Sequence, residues 1–255
     1  MIYLVESFYS FQGEGKYAGT PSVFVRFGGC NLKCKGFNTK TFLPDSDKIL
    51  RGCDSIRAVD RKHFSHLWKK IQKDEELIKE IKQYQKDDCK ADIVFTGGEP
   101  LLYHQEEIFC NTLKYFFSRG YRITIETNAT IYIDFEKYPC FRDVVFAMSV
   151  KLSNSKEPYE KRINKKAISS IINNTKDSFF KFVLDKDIIN SKRAEEEIKD
   201  IVMEYNNPQV YCMPLGSSAK ELQQNDKAVA NFCIKNCFCY MDRLHIRLWN
   251  NKEKV

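Results

Sequence analysis

Short apolar runs alternate with longer amphipathic stretches along most of this chain, a pattern that predicts strands separated by helices. Ser22-Val23-Phe24-Val25-Arg26-Phe27 reads as a strand running into Gly28, Gly29 and Cys30. Asp92-Ile93-Val94-Phe95 reads as another, ending in Thr96-Gly97-Gly98-Glu99-Pro100. From about His104, Phe109, Leu113, Phe116 and Phe117 share one helical face, and Gly120 closes the helix. The next strand, 121–125, opens into Glu126-Thr127-Asn128. Further strands are predicted over 144–148, 179–184, 209–213 and 243–249, and helices over 64–84, 191–205 and 220–236. Strands alternating with helices argue for an α/β fold with a parallel sheet and right-handed crossovers. No repeat, linker or compositional break divides the chain, so 1–255 reads as one domain. The polar motifs fall just after the strands, at the carboxyl ends where parallel α/β folds bind ligands.

Composition narrows this picture. The chain has 255 residues, 43% of them hydrophobic and 29% charged, which is ordinary for a globular protein with a sizeable core. No apolar run reaches the ~18 residues of a membrane span. The N-terminus lacks the basic head and small-residue cleavage site of a secretory signal, so a cytoplasmic location is expected. The net charge of +7 comes from lysines scattered among acidic neighbours, as over 69–86, and these read as solvated faces. Without a recognised module or basic-aromatic cluster, direct nucleic-acid binding is not expected.

Ten cysteines is a high count for a chain of this kind. Cys89, Cys110 and Cys140 stand apart and read as buried small hydrophobes. Cys30-Asn31-Leu32-Lys33-Cys34 places two thiols in one loop behind a Gly-Gly pair. Alone, such a pair fits zinc, a redox couple, an iron–sulfur cluster or nothing. Cys233, Cys237 and Cys239 could bind a second metal with Cys212, supply a third ligand to the first site, or pack Cys233 and Cys237 into a helix face.

The ordered set of motifs resembles radical S-adenosylmethionine (SAM) proteins. Their Cys-x3-Cys-x2-Cys run begins at Cys30 and Cys34, but its third position is Phe37. A cysteine returns at Gly52-Cys53-Asp54-Ser55, so 35–52 reads as an insertion that displaces the third ligand. Within the superfamily the chain resembles the 7-carboxy-7-deazaguanine synthases. The resemblance rests on Phe11-Gln12-Gly13-Glu14-Gly15, Gly19, Pro21, Arg26, Cys53-Asp54-Ser55, the Thr96 to Pro100 run, Glu126-Thr127-Asn128, Ser149-Val150-Lys151, His245 and the tail from Trp249. It implies a modified, partial TIM-like barrel, usually homodimeric, that contracts 6-carboxy-5,6,7,8-tetrahydropterin to 7-carboxy-7-deazaguanine with loss of ammonia, on the route to queuosine and other deazapurines.

By the same resemblance, Cys30, Cys34 and Cys53 hold a [4Fe-4S] cluster and Ser55 contacts Mg²⁺. SAM lies along Gly52, Asp54, Gly98, Glu99, Glu126, Ser149, Val150 and Lys151, with Glu99 accepting from its ammonium. The substrate meets Phe11, Gln12, Gly13, Glu14, Arg26, Thr96, His245 and the carboxylate of Val255, and no further catalytic group is implied. Flavodoxin or another reductant delivers the electron. Two rivals share part of this pattern. A glycyl-radical activase needs the cluster and Gly-Gly-Glu but not the Gln-Gly-Glu-Gly run or Arg26. A noncatalytic metal module binding RNA needs only the cysteines.

Overall fold

The apolar runs pair into a single large sheet. The computed structural model describes all residues except 45, 87, 88, 251, 253 and 255. Its strands are β1 (Ile2–Phe11), β2 (Pro21–Phe27), β3 (Thr39–Phe42), β4 (Ile49–Gly52), β5 (Lys69–Ile71), β6 (Asp92–Gly97), β7 (Ile123–Thr127), β8 (Val145–Met148), β9 (Asp177–Leu184), β10 (Val210–Pro214) and β11 (Cys239–Tyr240). Among the described residues, nine of these lie in the order β11-β10-β9-β8-β7-β6-β2-β1-β5, and β3 pairs with β4 apart from them. Every neighbouring pair from β11 to β2 is parallel. β1 and β5 close that edge antiparallel. The expected α/β fold with a mostly parallel sheet is therefore present.

Strand alternation sorts the sheet into two faces. One carries Val23, Val25 and Phe27 of β2, Ile93 and Phe95 of β6, Ile125 of β7 and Phe146 of β8, all buried in the main core. Helices Asp74–Lys82, Glu107–Phe117 and Lys165–Asn174 bury their apolar residues in that same core. Phe27, Phe95 and Phe109 meet there with ring centroids 5.2 to 5.5 Å apart, each pair contributing about 0.5–1.5 kcal/mol beyond area burial. The opposite face turns Phe24, Arg26, Thr96, Glu126 and Lys181 towards a cavity.

Three expectations need correction. The long helix over 64–84 is broken: Lys69–Ile71 becomes β5 because Ile2 and Leu4 present an open strand edge, and the helix starts only at Asp74. Residues 243–249 are not a strand. Leu244–Trp249 is a helix, and six residues of apolar-polar alternation are too few to separate the two periods. Of the three isolated cysteines, Cys89 is exposed and Cys110 and Cys140 are only partly buried.

The segment 35–52 makes a compact excursion. A 3-10 turn, Lys35–Phe37, leads into the β3–β4 hairpin, whose register sets Thr39 opposite Gly52 and Phe42 opposite Ile49. The antiparallel return delivers the chain beside its point of departure, so Cys53 follows directly on a residue paired close to Cys34.

Candidate functional site

The cavity over the sheet's open face has a volume of about 720 Å³, within the range of small-molecule sites. Sixteen of the twenty residues predicted for the site line it: Phe11, Gln12, Gly13, Glu14, Arg26, Cys30, Cys34, Cys53, Asp54, Ser55, Thr96, Gly98, Glu126, Ser149, Lys151 and His245. Gly52, Glu99 and Val150 sit behind its wall, and Val255 lies outside the described residues.

The parallel register brings these groups together. Arg26 on β2 is paired with Thr96 on β6, and Thr96 donates to the Glu126 carboxylate at 2.8 Å. Gly97 takes a positive φ of 126°, and a Cβ at Gly98 would stand 2.0 Å from the Gly29 carbonyl oxygen. Only glycine lets the strand end approach the cysteine loop this closely.

Protein contacts hold that loop in shape. Cys34 adopts the left-handed conformation, with φ 44°. One oxygen of Glu157 accepts from the N–H groups of Lys33 and Cys34, both at 2.7 Å. Asn128 donates to Asn31 at 2.9 Å and lies 3.9 Å from the Cys30 sulfur. Phe37, where the usual third cysteine would stand, has its ring centre 5.9 Å from the Lys151 ammonium.

Burial pushes the Cys30 thiol up to about 12, Cys34 to about 11 and Cys53 to about 12, and neighbouring anionic groups, the other cysteines among them, add to this. Three thiols lining one cavity, Cys34 buried and Cys30 and Cys53 partly so, are a donor set that a cationic iron–sulfur cluster would deprotonate and bind. Among the described residues, no three His, Cys, Asp or Glu side chains converge where a single metal ion could sit. This leaves Cys212, Cys233, Cys237 and Cys239 without a single-ion site.

Glu99, expected to accept from the SAM ammonium, is engaged with the protein itself in this structure. It is wholly buried, and its carboxylate accepts from Leu101 N–H at 3.0 Å, Thr127 Oγ1 at 2.8 Å and Asn128 N–H at 2.7 Å. Burial nonetheless raises its carboxyl above the usual range, the hydrogen bonds offsetting only part of the effect. Glu99 caps the 3-10 turn Pro100–Tyr103 and ties the end of β6 to the end of β7.

Sequence reading missed the two cations at the heart of the cavity. Lys181, 6% exposed on β9, contacts Glu14 at 2.8 Å and Glu126 at 3.3 Å. Arg243 contacts Glu14 at 2.8 Å, Asp54 at 2.6 Å and the Gly216 carbonyl at 2.6 Å. Burial alone would raise the Glu14 carboxyl, but Lys181 and Arg243 outweigh it and hold the group well below the usual carboxylate range. The signal for Lys181 was a charged residue inside an otherwise apolar strand, Phe179-Phe180-Lys181-Phe182. Arg243 carried no such mark.

His245 lies against Gly13, where a Cβ would come within 2.1 Å of its Nδ1. Burial pushes its pKa below the ordinary value despite the pull of Glu14. Burial thus favours the neutral imidazole.

Comparison with known proteins adds the family. A domain model described as a 4Fe-4S single cluster domain matches residues 11–172. The 7-carboxy-7-deazaguanine synthase of Halobacterium salinarum is 30% identical, over 98% of this chain and 91% of that relative. The enzyme of the same name from Aquifex aeolicus is 30% identical over 93% of this chain and 88% of its own length. The crystal structure of QueE from Escherichia coli superposes with a TM-score of 0.66 at 18% identity, covering 96% of this chain and 94% of that one.

Proposed function

The chain belongs to the 7-carboxy-7-deazaguanine synthase family of radical SAM enzymes, and we propose that it carries out that family's ring contraction of 6-carboxy-5,6,7,8-tetrahydropterin, as a carbon–nitrogen lyase. The observation that carries this reading is one cavity lined by three cysteines together with Gln12, Glu14, Arg26, Thr96 and His245. We read the whole chain as one radical SAM domain, with 35–52 an insertion in its cluster loop.

When bound, a [4Fe-4S] cluster with SAM supplies a 5′-deoxyadenosyl radical. Cys30, Cys34 and Cys53 would hold that cluster, and Gly98, Glu126, Ser149 and Lys151 would flank SAM, with Lys151 oriented by its 2.7 Å bond to Ser149. Arg26 offers the substrate carboxylate a cation: its Nε is already fixed on Glu6 at 2.8 Å, which aims the rest of the guanidinium towards Ser55. Glu14 accepts from pterin N–H groups through the lone pairs that Lys181 and Arg243 leave open. Gln12 is held by Glu14 N–H at 3.1 Å, so its placement needs no reorganisation on binding. Ser55 would lend a hard oxygen to Mg²⁺, which keeps waters at most remaining positions.

The test is anaerobic incubation of the reconstituted protein with SAM, Mg²⁺, dithionite and the carboxylated tetrahydropterin, with mass spectrometry of the products. Formation of the carboxylated deazaguanine is expected, and a Cys53→Ala variant should lose cluster and product together. Normal turnover by that variant, or SAM cleavage with the pterin unchanged, would overturn the reading.

A further inference from the structure

A second cavity, of about 360 Å³, lies on the helix-covered side of the sheet and shares no lining residue with the first. Cys110, on helix Glu107–Phe117, and Cys140, on the 3-10 turn Pro139–Phe141, both line it with their thiols adjacent, and Cys110 Sγ donates to the His104 carbonyl at 3.7 Å. Glu107, Lys114 and Lys137 also line the cavity. We propose that Cys110 and Cys140 form a redox-active dithiol that reduces a low-molecular-weight disulfide and closes to an intramolecular disulfide.

Three features favour this site over the other thiols. Both residues are only partly buried and line an open cavity. The adjacent Cys140 holds the Cys110 thiol below its usual range against the opposing effect of burial, with Lys114 assisting, while Cys140 is raised. One thiol of such a pair can act as nucleophile while the other keeps its proton, and Lys114, one turn along the same helix as Cys110 and lining the same cavity, favours Cys110 as the attacking cysteine. Cys212 and Cys233 are also adjacent but are 0% and 1% exposed, so an oxidant cannot reach them.

The chemistry balances. The Cys110 thiolate attacks one sulfur of the small disulfide, whose S–S bond breaks and releases one thiol after taking up a proton. Cys140 gives up its proton and attacks the Cys110 sulfur of the mixed disulfide, releasing the second thiol. Two electrons pass from the protein to the oxidant, and two hydrogens leave the protein. The new bond would tie the crossover helix after β6 to the turn before β8.

The test treats the full chain, purified anaerobically, with glutathione disulfide and maps its peptides by mass spectrometry. A cross-link joining Cys110 to Cys140 is expected in the wild type. Cys140→Ser should accumulate a glutathione adduct on Cys110, and Cys110→Ser should carry neither cross-link nor adduct at Cys140. Both residues are partly exposed and serine is close in size, and the wild-type map decides the question even if a variant misfolds. A wild type that keeps glutathione on Cys110 beside a free Cys140, or that cross-links Cys212 to Cys233 in preference, would overturn the proposal.

Discussion

Lys181 is the point on which the charge balance of the main cavity turns. Replacing it with methionine keeps an unbranched apolar stem but removes the ammonium between Glu14 and Glu126. Glu14 then retains Arg243, and Glu126 retains only the polar contacts to Thr96 and Gln12. Removing one partner of a buried pair costs about 3–5 kcal/mol, because the surviving charge stays desolvated. For a chain of this length each kcal/mol moves the midpoint by about 2–4 °C, so Lys181→Met should lower it by roughly 6–20 °C. The lower half of that range is expected, since Arg243 still neutralises Glu14. Thermal and urea unfolding, followed by circular dichroism, measure the loss. Adding Glu126→Gln completes a double-mutant cycle, and the pair should couple by about 0.5–3 kcal/mol. Lys176→Met serves as the control, since Lys176 and its partner Asp143 are 87% and 63% exposed and their pairing should not register. An unchanged midpoint for Lys181→Met, or strict additivity with Glu126→Gln, would refute the argument.

Acid should destabilise the fold earlier than carboxylates alone would cause. Burial holds His245 below its usual pKa; burial alone would raise Glu14 and Asp54, but Lys181 and Arg243 for the first and Arg243 for the second win and hold them low. Below about pH 6.5 the unfolded chain therefore binds protons that the folded protein refuses, first at His245 and then at the two carboxyls, so stability is lost as pH falls. Glu99, which burial raises, works the opposite way; urea midpoints that hold steady or rise between pH 7 and pH 4 would contradict this reasoning. In cluster-free protein at pH 8, iodoacetamide should label the exposed Cys89, Cys237 and Cys239 well before Cys30, Cys34 and Cys53, which peptide mapping over time would reveal. Gly98→Ala drives a methyl into the Gly29 carbonyl at 2.0 Å, so iron content and the cluster's visible absorption should fall, and full cluster loading would show that the loop can yield.

Most of the parallel strands were legible because each is a mostly buried, largely apolar run that ends at a glycine or polar motif. Asp92–Gly97 is buried at all six positions and reads the same way in sequence and in space. β1 went unread for the opposite reason. It carries one buried and one half-exposed face, and Glu6, Ser7 and Ser10 interrupt its apolar residues. The short β5 exists only because β1 offers it an edge, a long-range cause that no local window contains. The site followed the same divide. Cysteines and glycines next to strand ends were visible, whereas Arg243 enters the cavity only because the C-terminal helix folds back over Gly13, through Leu244 N–H donating to the Gly13 carbonyl at 2.9 Å. Glu99 was conspicuous in its motif, but the sequence did not show that its carboxylate also accepts from Leu101 N–H, Asn128 N–H and the Thr127 hydroxyl.

If Cys53 is the third ligand, as proposed, the hairpin explains how a long detour returns the chain towards the Cys34 loop. Eighteen residues intervene between Cys34 and Cys53, but the pairing of Thr39 with Gly52 makes the effective detour only the few residues on either side of that rung. Everything beyond it, out to the turn between Phe42 and Ile49, adds length without moving the ends, and the entropic cost of such length grows only logarithmically. Phe42 and Ile49, 62% and 46% exposed, contribute little packing that would hold the tip in place. The position of Cys53 is therefore set by the inner rungs of the hairpin and by the Gly52 backbone, which packs against Ile56. The outer half of the hairpin is the part of the insertion on which the geometry of the three sulfurs depends least.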